Sequence, residues 1–328
     1  MTPRVSLCVP TIGRARYLRA VRHAVESQTF RDVEILVLDN ASPPEVVREH
    51  FEPWARDDSR VRLLRVEERV PMFTNFNRGI AAARAPYVVF FHDDDVQHPS
   101  LIERSVEVLD RDDKVSFVGT NYDFIDDAGT ITERRRWIRG DAIEVGEDYI
   151  RDLVRRGRNK VPMPGIVFRR DGIAEGFDVS LPIHFGDFTL LMRLAERHRV
   201  GLLADALIQI RRHEGQASGS MPLSRSLPLR ASVLHAYLDE LAARGVLPEK
   251  EIAGLRRRVT LQERLSMAYG WYLADDPAEV TACAAGCARR SRTLGVGLRF
   301  LDASGLRRRA KEVDVRSIVK RLAPRVGL

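Results

Sequence analysis

Only three cysteines occur in this 328-residue chain, too few for a disulfide framework and in keeping with a reducing compartment. Cys8 falls in an apolar run and reads as a small core residue. Cys283 and Cys287 share a helix face at i, i+4, without the further ligands that a zinc site needs. Long hydrophobic runs are absent too. No stretch approaches the roughly 18 apolar residues that span a bilayer, and Pro10 and Gly13-Arg14 interrupt the short apolar segment that begins at Val5, so no signal peptide is expected. Aromatic residues make up 7% of the chain against a net charge of +7. They are not interleaved with the basic clusters at residues 134–136, 155–156, 256–258 and 307–325, which removes the stacking platform that single-stranded nucleic acid requires. A nucleic-acid partner is therefore not expected. A phosphate-rich substrate or an anionic membrane surface accounts for the charge at least as well. Together these absences point to a cytoplasmic protein.

What is present is an alternation of strands and helices. Apolar, β-branched runs at residues 5–9, 33–38 and 61–66, and another ending at Phe91, are separated by helical patterns over 16–27, 44–54 and 74–83. Such alternation indicates parallel βαβ units with right-handed crossovers, hence an α/β fold with a Rossmann-like, mostly parallel sheet flanked by helices. Polar residues then recur where the strands end. Thr11 follows the first, Asp39 the second, and Asp93, Asp94 and Asp95 the fourth. Ligands of open α/β sheets bind outside the carboxyl ends of the strands. Clustered carboxylates there suit a hard divalent cation carrying phosphates, because three adjacent negative charges repel one another unless a cation or donors compensate. Asp39 is placed either to bind ribose hydroxyls or a base edge, or to serve the turn before Pro43-Pro44. His92, then His98-Pro99, fit a strand end and a short loop, after which Ser100 and Glu103 have the spacing of a helix capping box.

The ordered set Val9-Pro10-Thr11-Ile12-Gly13-Arg14, Val37-Leu38-Asp39-Asn40-Ala41-Ser42, Asn75-Phe76-Asn77-Arg78-Gly79-Ile80 and Phe91-His92-Asp93-Asp94-Asp95 resembles the family 2 glycosyltransferases, with the GT-A fold. The resemblance implies transfer of a sugar from a nucleoside-diphosphate sugar to an acceptor hydroxyl, with inversion, using Mg²⁺ or Mn²⁺. It places Thr11, Arg14 and Asp39 around the nucleotide, with Asp39 near the base. Arg69 is placed at the diphosphate and Asn77 near the donor. Asp93 would contact the ribose, Asp94 is the middle residue of the same nucleotide-binding stretch, and Asp95 is the direct metal ligand.

The second half carries further segments that resemble the family: Pro164-Gly165-Ile166-Val167-Phe168-Arg169-Arg170, Gly176-Phe177-Asp178, and residues 186–194. The resemblance makes Asp187 the catalytic base; the same residue opens a helix and would also serve as an N-cap carboxylate, and the two roles are compatible. His213, followed by Gly215, Gln216 and Ser218, resembles the family's late histidine, which completes the metal site or touches the diphosphate. Arg211 or Arg212 could also meet the phosphates. His184 is a candidate acceptor contact.

From about Met221 the composition becomes rich in Leu, Ala and Arg, with helical patterns over 227–244, 249–274 and 277–293. The chain thus divides into a GT-A domain over residues 1–220, with a nucleotide-sugar half to about residue 100 and an acceptor half after it, and a helical C-terminal region over 221–328. That region would pack on the first domain, form a homodimer contact or complete the acceptor site. The segment 306–328 carries eight Lys or Arg with a loose apolar stripe, a pattern that can rest on the anionic inner face of a membrane. A carbohydrate, lipid-linked or small-molecule acceptor would fit. A polyprenyl-phosphate sugar synthase on the same fold, and a nucleotide-sugar-binding protein without turnover, are the alternative readings.

Overall fold

The structure, a computed structural model, describes residues 2–181, 185–213, 215–216 and 222–273, and residues 278, 280–283 and 285. His184, Cys287 and the basic segment 306–328 lie outside the described residues, as does most of the helical pattern over 277–293.

The first ninety residues fold as the alternation predicts. Strand β1 (Val5–Thr11) leads to helix α1 (Ala15–Glu26), then β2 (Val33–Asp39). A helical stretch follows, from α2 (Pro44–Val46) through a π-helical turn (Val47–Phe51) to α3 (Glu52–Asp57). Then come β3 (Val61–Leu63), α4 (Met72–Ala82) and β4 (Tyr87–Phe90). Apolar residues at helical spacing explain α1: Leu18, Val21 and Val25 are buried, while Arg22 and Glu26 pair on the outer side. The third strand is shorter than its apolar run suggests. Beyond Leu63 the chain leaves the regular ladder and touches β2's end only through a bridge between Val66 and Asn40.

The rest of the sheet comes from β5 (Val96–Gln97), β6 (Val115–Ile125), β7 (Ile131–Arg135), β8 (Ala142–Glu144), β9 (Val167–Arg169) and β10 (Arg199–Arg211), with helices α5 (Leu101–Arg111), α6 (Gly146–Arg156) and α7 (Gly186–Arg197) between them. The strand order is β3-β2-β1-β4-β9-β6-β10-β5, with β7 on β6 and β8 on β10. Strands β1 to β4 are mutually parallel, and β9 runs against both β4 and β6, which returns β6 and β10 to the first direction. The long strands therefore point one way, and the short β5, β7, β8 and β9 run opposite. This is the mostly parallel α/β sheet with flanking helices that the sequence implies. Its centre is mainly apolar, with Val5, Leu7, Ile35, Val37, Val89 and Val118 among the fully buried residues.

The capping box expected at Ser100 does not form. Ser100 precedes α5, but its hydroxyl pairs with Nδ1 of His98, and the Glu103 carboxylate accepts instead from Thr29 Oγ1 at 2.7 Å.

Two compact units divide the chain. One comprises residues 1–150 and 160–216, the other 151–159 and 217–328. In the second, helix α8 (Leu223–Ala243) turns at Gly245, whose φ of 65° suits the left-handed residue after a helix, into α9 (Glu249–Leu273). The turn is closed by Gly245 N–H to Ala242 O and Val246 N–H to Leu241 O. α8 starts one turn earlier than the expected residue 227, so Pro228 lies inside it and one backbone hydrogen bond is missing there. Leu234, Leu238 and Leu241 of α8 and Ile252, Leu255 and Val259 of α9 are buried.

Candidate active site

Register alone assembles the first part of the site. β1 and β2 pair with Thr11 opposite Asp39, and β1 and β4 pair with Cys8 opposite Phe90. Continued three residues past Phe90, the second register puts Asp93 beside Thr11. The Thr11 hydroxyl donates to Asp93 Oδ2 at 2.6 Å and accepts the Gly13 N–H at 2.9 Å. Asp39, Thr11 and Asp93 thus form a row across the carboxyl ends of three parallel strands. Gly13 has a φ of 77°, and a Cβ there would lie 2.7 Å from the Ser42 side chain. The turn after β1 therefore needs glycine both for its conformation and for its close approach to the turn after β2.

Arg14 reaches over the same end of the sheet. Its Nη1 donates to Asp93 Oδ1 at 3.1 Å and to Asp94 Oδ2 at 3.3 Å, and its Nη2 donates to the carbonyl of Gly215 at 3.2 Å. His213 Nε2 lies 3.0 Å from the same Asp94 oxygen, and its Nδ1 is buried with no partner among the described residues. Asp94, the middle carboxylate, is therefore the point where Arg14 and His213 converge. Asp95 faces the other way, its Oδ1 accepting the Arg211 backbone N–H at 2.9 Å, with His92 Nδ1 3.7 Å from Oδ2. His92, Asp94 and Asp95 each offer a ligand-type atom, and these atoms lie within 4.8 Å of one another.

Electrostatics describe a site short of positive charge. Burial pushes the Asp93 carboxyl above its ordinary value, even though Thr11 and Arg14 both donate to it. Burial, then the neighbouring Asp94 charge, pushes Asp95 further up. Burial lowers His92 and keeps its imidazole neutral, the form that ligates a metal, and its Nε2 is buried without a partner. Two carboxylates and a neutral imidazole form a donor set suited to Mn²⁺ or Mg²⁺, and the uncompensated negative charge is what a divalent cation would offset. The residues present fit the metal. His213 meets that group through Asp94, one contact away.

The remaining candidates divide. Asp39 is fully buried; Ser42 N–H donates to its Oδ1 at 2.9 Å and Arg65 Nη1 to its Oδ2 at 2.6 Å. Arg69 is exposed and makes no hydrogen bond or ion pair among the described residues. Arg65, on the irregular stretch after β3, is the cation that reaches Asp39. Both ends of the Asn77 amide are taken by the Phe177 backbone, Nδ2 to the carbonyl at 2.9 Å and Oδ1 from the N–H at 2.7 Å. Asn77 is thus a clamp on the Gly176-Phe177 turn. Arg212 lies over the Phe124 ring and pairs with Glu133. Arg211 is buried, stacks on Tyr17, and donates to the carbonyls of Asp94 at 3.1 Å, Asp126 at 2.7 Å and Asp127 at 3.0 Å. It ties the aspartate turn to the β6–β7 turn, which Tyr17 also holds through a 2.5 Å bond from its hydroxyl to Asp127.

Asp187 sits in the first turn of α7 and accepts the Phe188 N–H on Oδ1 at 2.7 Å. The residue at the N-cap itself is Phe185, so the carboxylate caps from within the first turn, two residues on. Burial raises its carboxyl to about 6, the range where a base is both ionised and effective near neutral pH. Aromatic packing fixes that helix start. A Cβ on Gly186 would fall 2.1 Å from the Phe73 ring, Phe73 stacks on Phe177 at 4.9 Å and meets Phe76, and Phe76 stacks on Phe90 and meets His92 edge-on at 5.6 Å. A continuous run of rings thus connects the start of α7 with the end of β4.

The family model for glycosyl transferase family 2 matches residues 6–177, just over half of the 328-residue chain. The chain belongs to this family. Among curated relatives of the family, the chain is 25% identical over 129 residues to Glycosyltransferase GlyG of Streptococcus pneumoniae serotype 4. That alignment covers 39% of this chain and 42% of GlyG, so the chain spans about two fifths of that relative's length. In fold it is similar to residues 1–349 of S. aureus TarS, solved with UDP-GlcNAc, with a TM-score of 0.66 at 15% identity over 93% of this chain and 85% of that one. It is also similar to the mannosyltransferase PcManGT of Pyrobaculum calidifontis, solved with GDP-Man and Mn²⁺, with a TM-score of 0.51 at 17% identity over 93% and 87% of the two chains. Both likenesses establish the GT-A fold.

Proposed function

We propose that the protein is an inverting, metal-dependent glycosyltransferase that moves a sugar from a nucleoside-diphosphate sugar to an acceptor hydroxyl of a carbohydrate, lipid-linked or small molecule. The observation that carries this reading is the row Asp39–Thr11–Asp93 at the strand ends, continued by the His92, Asp94 and Asp95 donor group. Nucleotide-sugar and Mn²⁺ complexes of proteins with this fold support it.

In this reading Asp39, oriented by Ser42 and Arg65, faces the base, and Asp93, oriented by Thr11 and Arg14, takes the ribose hydroxyls. Asp94, Asp95 and His92 would hold the divalent ion, with His213 beside Asp94. When bound, the ion neutralises charge developing on the departing nucleoside diphosphate. Arg14 adds a fixed cation on the same side. Asp187 removes the proton from the acceptor hydroxyl; with its carboxyl at about 6 it is ionised at neutral pH and more basic than an ordinary aspartate. Such general-base help is worth on the order of 10² to 10⁴ in rate.

The test is a calorimetric titration with UDP, GDP and dTDP, each with Mn²⁺, Mg²⁺ or EDTA, on the wild type and Asp95→Ala. Metal-dependent binding of one nucleotide that the variant loses is the expected result. Equal binding with EDTA, or by the variant, would overturn the metal assignment.

A further inference from the structure

The last turn of α6 brings Arg155 and Arg156 beside arginines of α8 and α9 in the second compact unit. Part of that charge caps the helix: the Arg155 carbonyl accepts from Arg258 Nε at 3.3 Å and from the Gln262 amide, the ordinary use of donors at a helix C-terminus. Two other guanidiniums are not used this way. That of Arg155 is exposed and makes no hydrogen bond or ion pair among the described residues. That of Arg230, from α8, packs 3.8 Å from where a Cβ would stand on Gly157. Burial and the charge of Arg158 lower the Arg230 guanidinium to about 10, with no carboxylate of the described residues acting against them. A desolvated cation without a counter-charge is unfavourable in a folded protein.

Beside this turn lies an open cavity of about 420 Å³, lined by Arg155, Arg258, Leu255, Gly254 and Glu251. The four α9 residues follow at i, i+3, i+4 and i+7, so one face of the helix forms the wall. Gln262 continues that face by one turn, and its Oε1, buried without a partner, lies 3.1 Å from the same Gly157 position that Arg230 approaches. Glu251 is neutralised by Arg151 at 2.7 Å, and a side chain on Gly254 would meet nothing nearer than Arg257 Nη2 at 3.9 Å. The cavity is thus roomy and positive.

We propose that this cavity is a phosphate-binding site, held by Arg155 and Arg258, which line it, with Arg230 adding charge from beside Gly157, and distinct from the Asp93–Asp95 site. A guanidinium fork matches two phosphate oxygens at once, and a phosphate supplies the counter-charge that Arg155 and Arg230 lack among the described residues. The phosphate is either that of a small soluble molecule or the headgroup of an anionic lipid.

The full chain is titrated with inorganic phosphate by calorimetry, in EDTA so that no metal-dependent phosphate binding contributes, with chloride balancing ionic strength. In parallel it is sedimented with phosphatidylcholine vesicles containing phosphatidic acid. Arg155→Met, which alters an exposed side chain and keeps the fold, and Arg230→Met should each weaken saturable phosphate binding about tenfold or more. Arg256→Met, which removes the partner of Asp239, should change it by no more than about twofold. Vesicle capture lost in the same two variants identifies the ligand as a lipid headgroup; phosphate binding without capture identifies a soluble one. If wild type shows no saturable phosphate binding, or if Arg155→Met and Arg256→Met bind alike, the site does not exist and the arginines serve only the helix end. Should Arg230→Met fail to fold, the other three proteins decide the matter.

Discussion

At the scale of single residues, Asp187 sets function against stability. Its carboxyl, raised from 3.8 to about 6, favours the protonated form when folded, so the native state holds more protons than the unfolded chain between those values. Stability from this group is therefore lost as pH rises from about 4 to 6, and the cost is fully present above 6, up to about 3 kcal/mol. Replacing Asp187 by Asn removes the cost and the base together. We expect Asp187→Asn to melt higher than wild type at pH 7.5 while turnover falls by 10² or more and nucleotide affinity stays unchanged; a variant that kept its turnover would disprove the base assignment. In the wild type, turnover should decline as pH falls through about 6, which a rate profile from pH 5 to 8 would reveal. Arg211 is the second informative residue. Arg211→Met strips three carbonyls of a buried charged donor, so a loss of roughly 3 kcal/mol is expected. The same variant should weaken Mn²⁺ binding, measured by electron paramagnetic resonance, since the Asp94–Asp95 turn loses its anchor; unaltered Mn²⁺ affinity would limit Arg211 to a structural role.

Among the elements, the start of α7 and the turn after β1 are fixed by contacts that tolerate no side chain. A methyl group on Gly186 would overlap the Phe73 ring, and rings packed to native density do not yield freely. Gly186→Ala should therefore displace the helix turn that carries Asp187, lowering turnover at least tenfold with a smaller effect on nucleotide affinity. Pairing it with Phe73→Leu should restore part of the rate, and failure of that rescue would show that the contact does not place the base. β1 and β2 teach the complementary lesson. Their register sets Thr11 opposite Asp39, and a slip of one residue would turn every side chain to the other face, so the site is as secure as the apolar core behind it.

For the whole molecule, ligand linkage is the cleanest readout. Whatever binds only the folded chain raises its melting temperature in proportion to the logarithm of its concentration over Kd. A matching nucleotide should raise the melting temperature by several degrees with Mn²⁺ and by little with EDTA; an equal shift in EDTA would argue against a metal in the nucleotide site. Among the described residues no helix is long and apolar enough to cross a membrane.

The strand–helix alternation, the residues at the strand ends and the helix opened by Asp187 could all be read from the chain, because hydrophobic periodicity and turn residues act over a few positions. Contacts across the fold could not. Nothing local distinguishes Arg65 from Arg69, yet only Arg65 reaches Asp39, since the chain leaves the ladder after Leu63. His92 read as a strand end, whereas the fold turns it toward Asp94 and Asp95. Asn77, expected near the donor, has both ends of its amide held by the Phe177 backbone, a hundred residues away. Local pattern determined which elements form and where their polar ends fall. Tertiary structure decided which of those polar groups meet, because hydrogen-bond partners and burial depend on neighbours that lie far apart in the sequence.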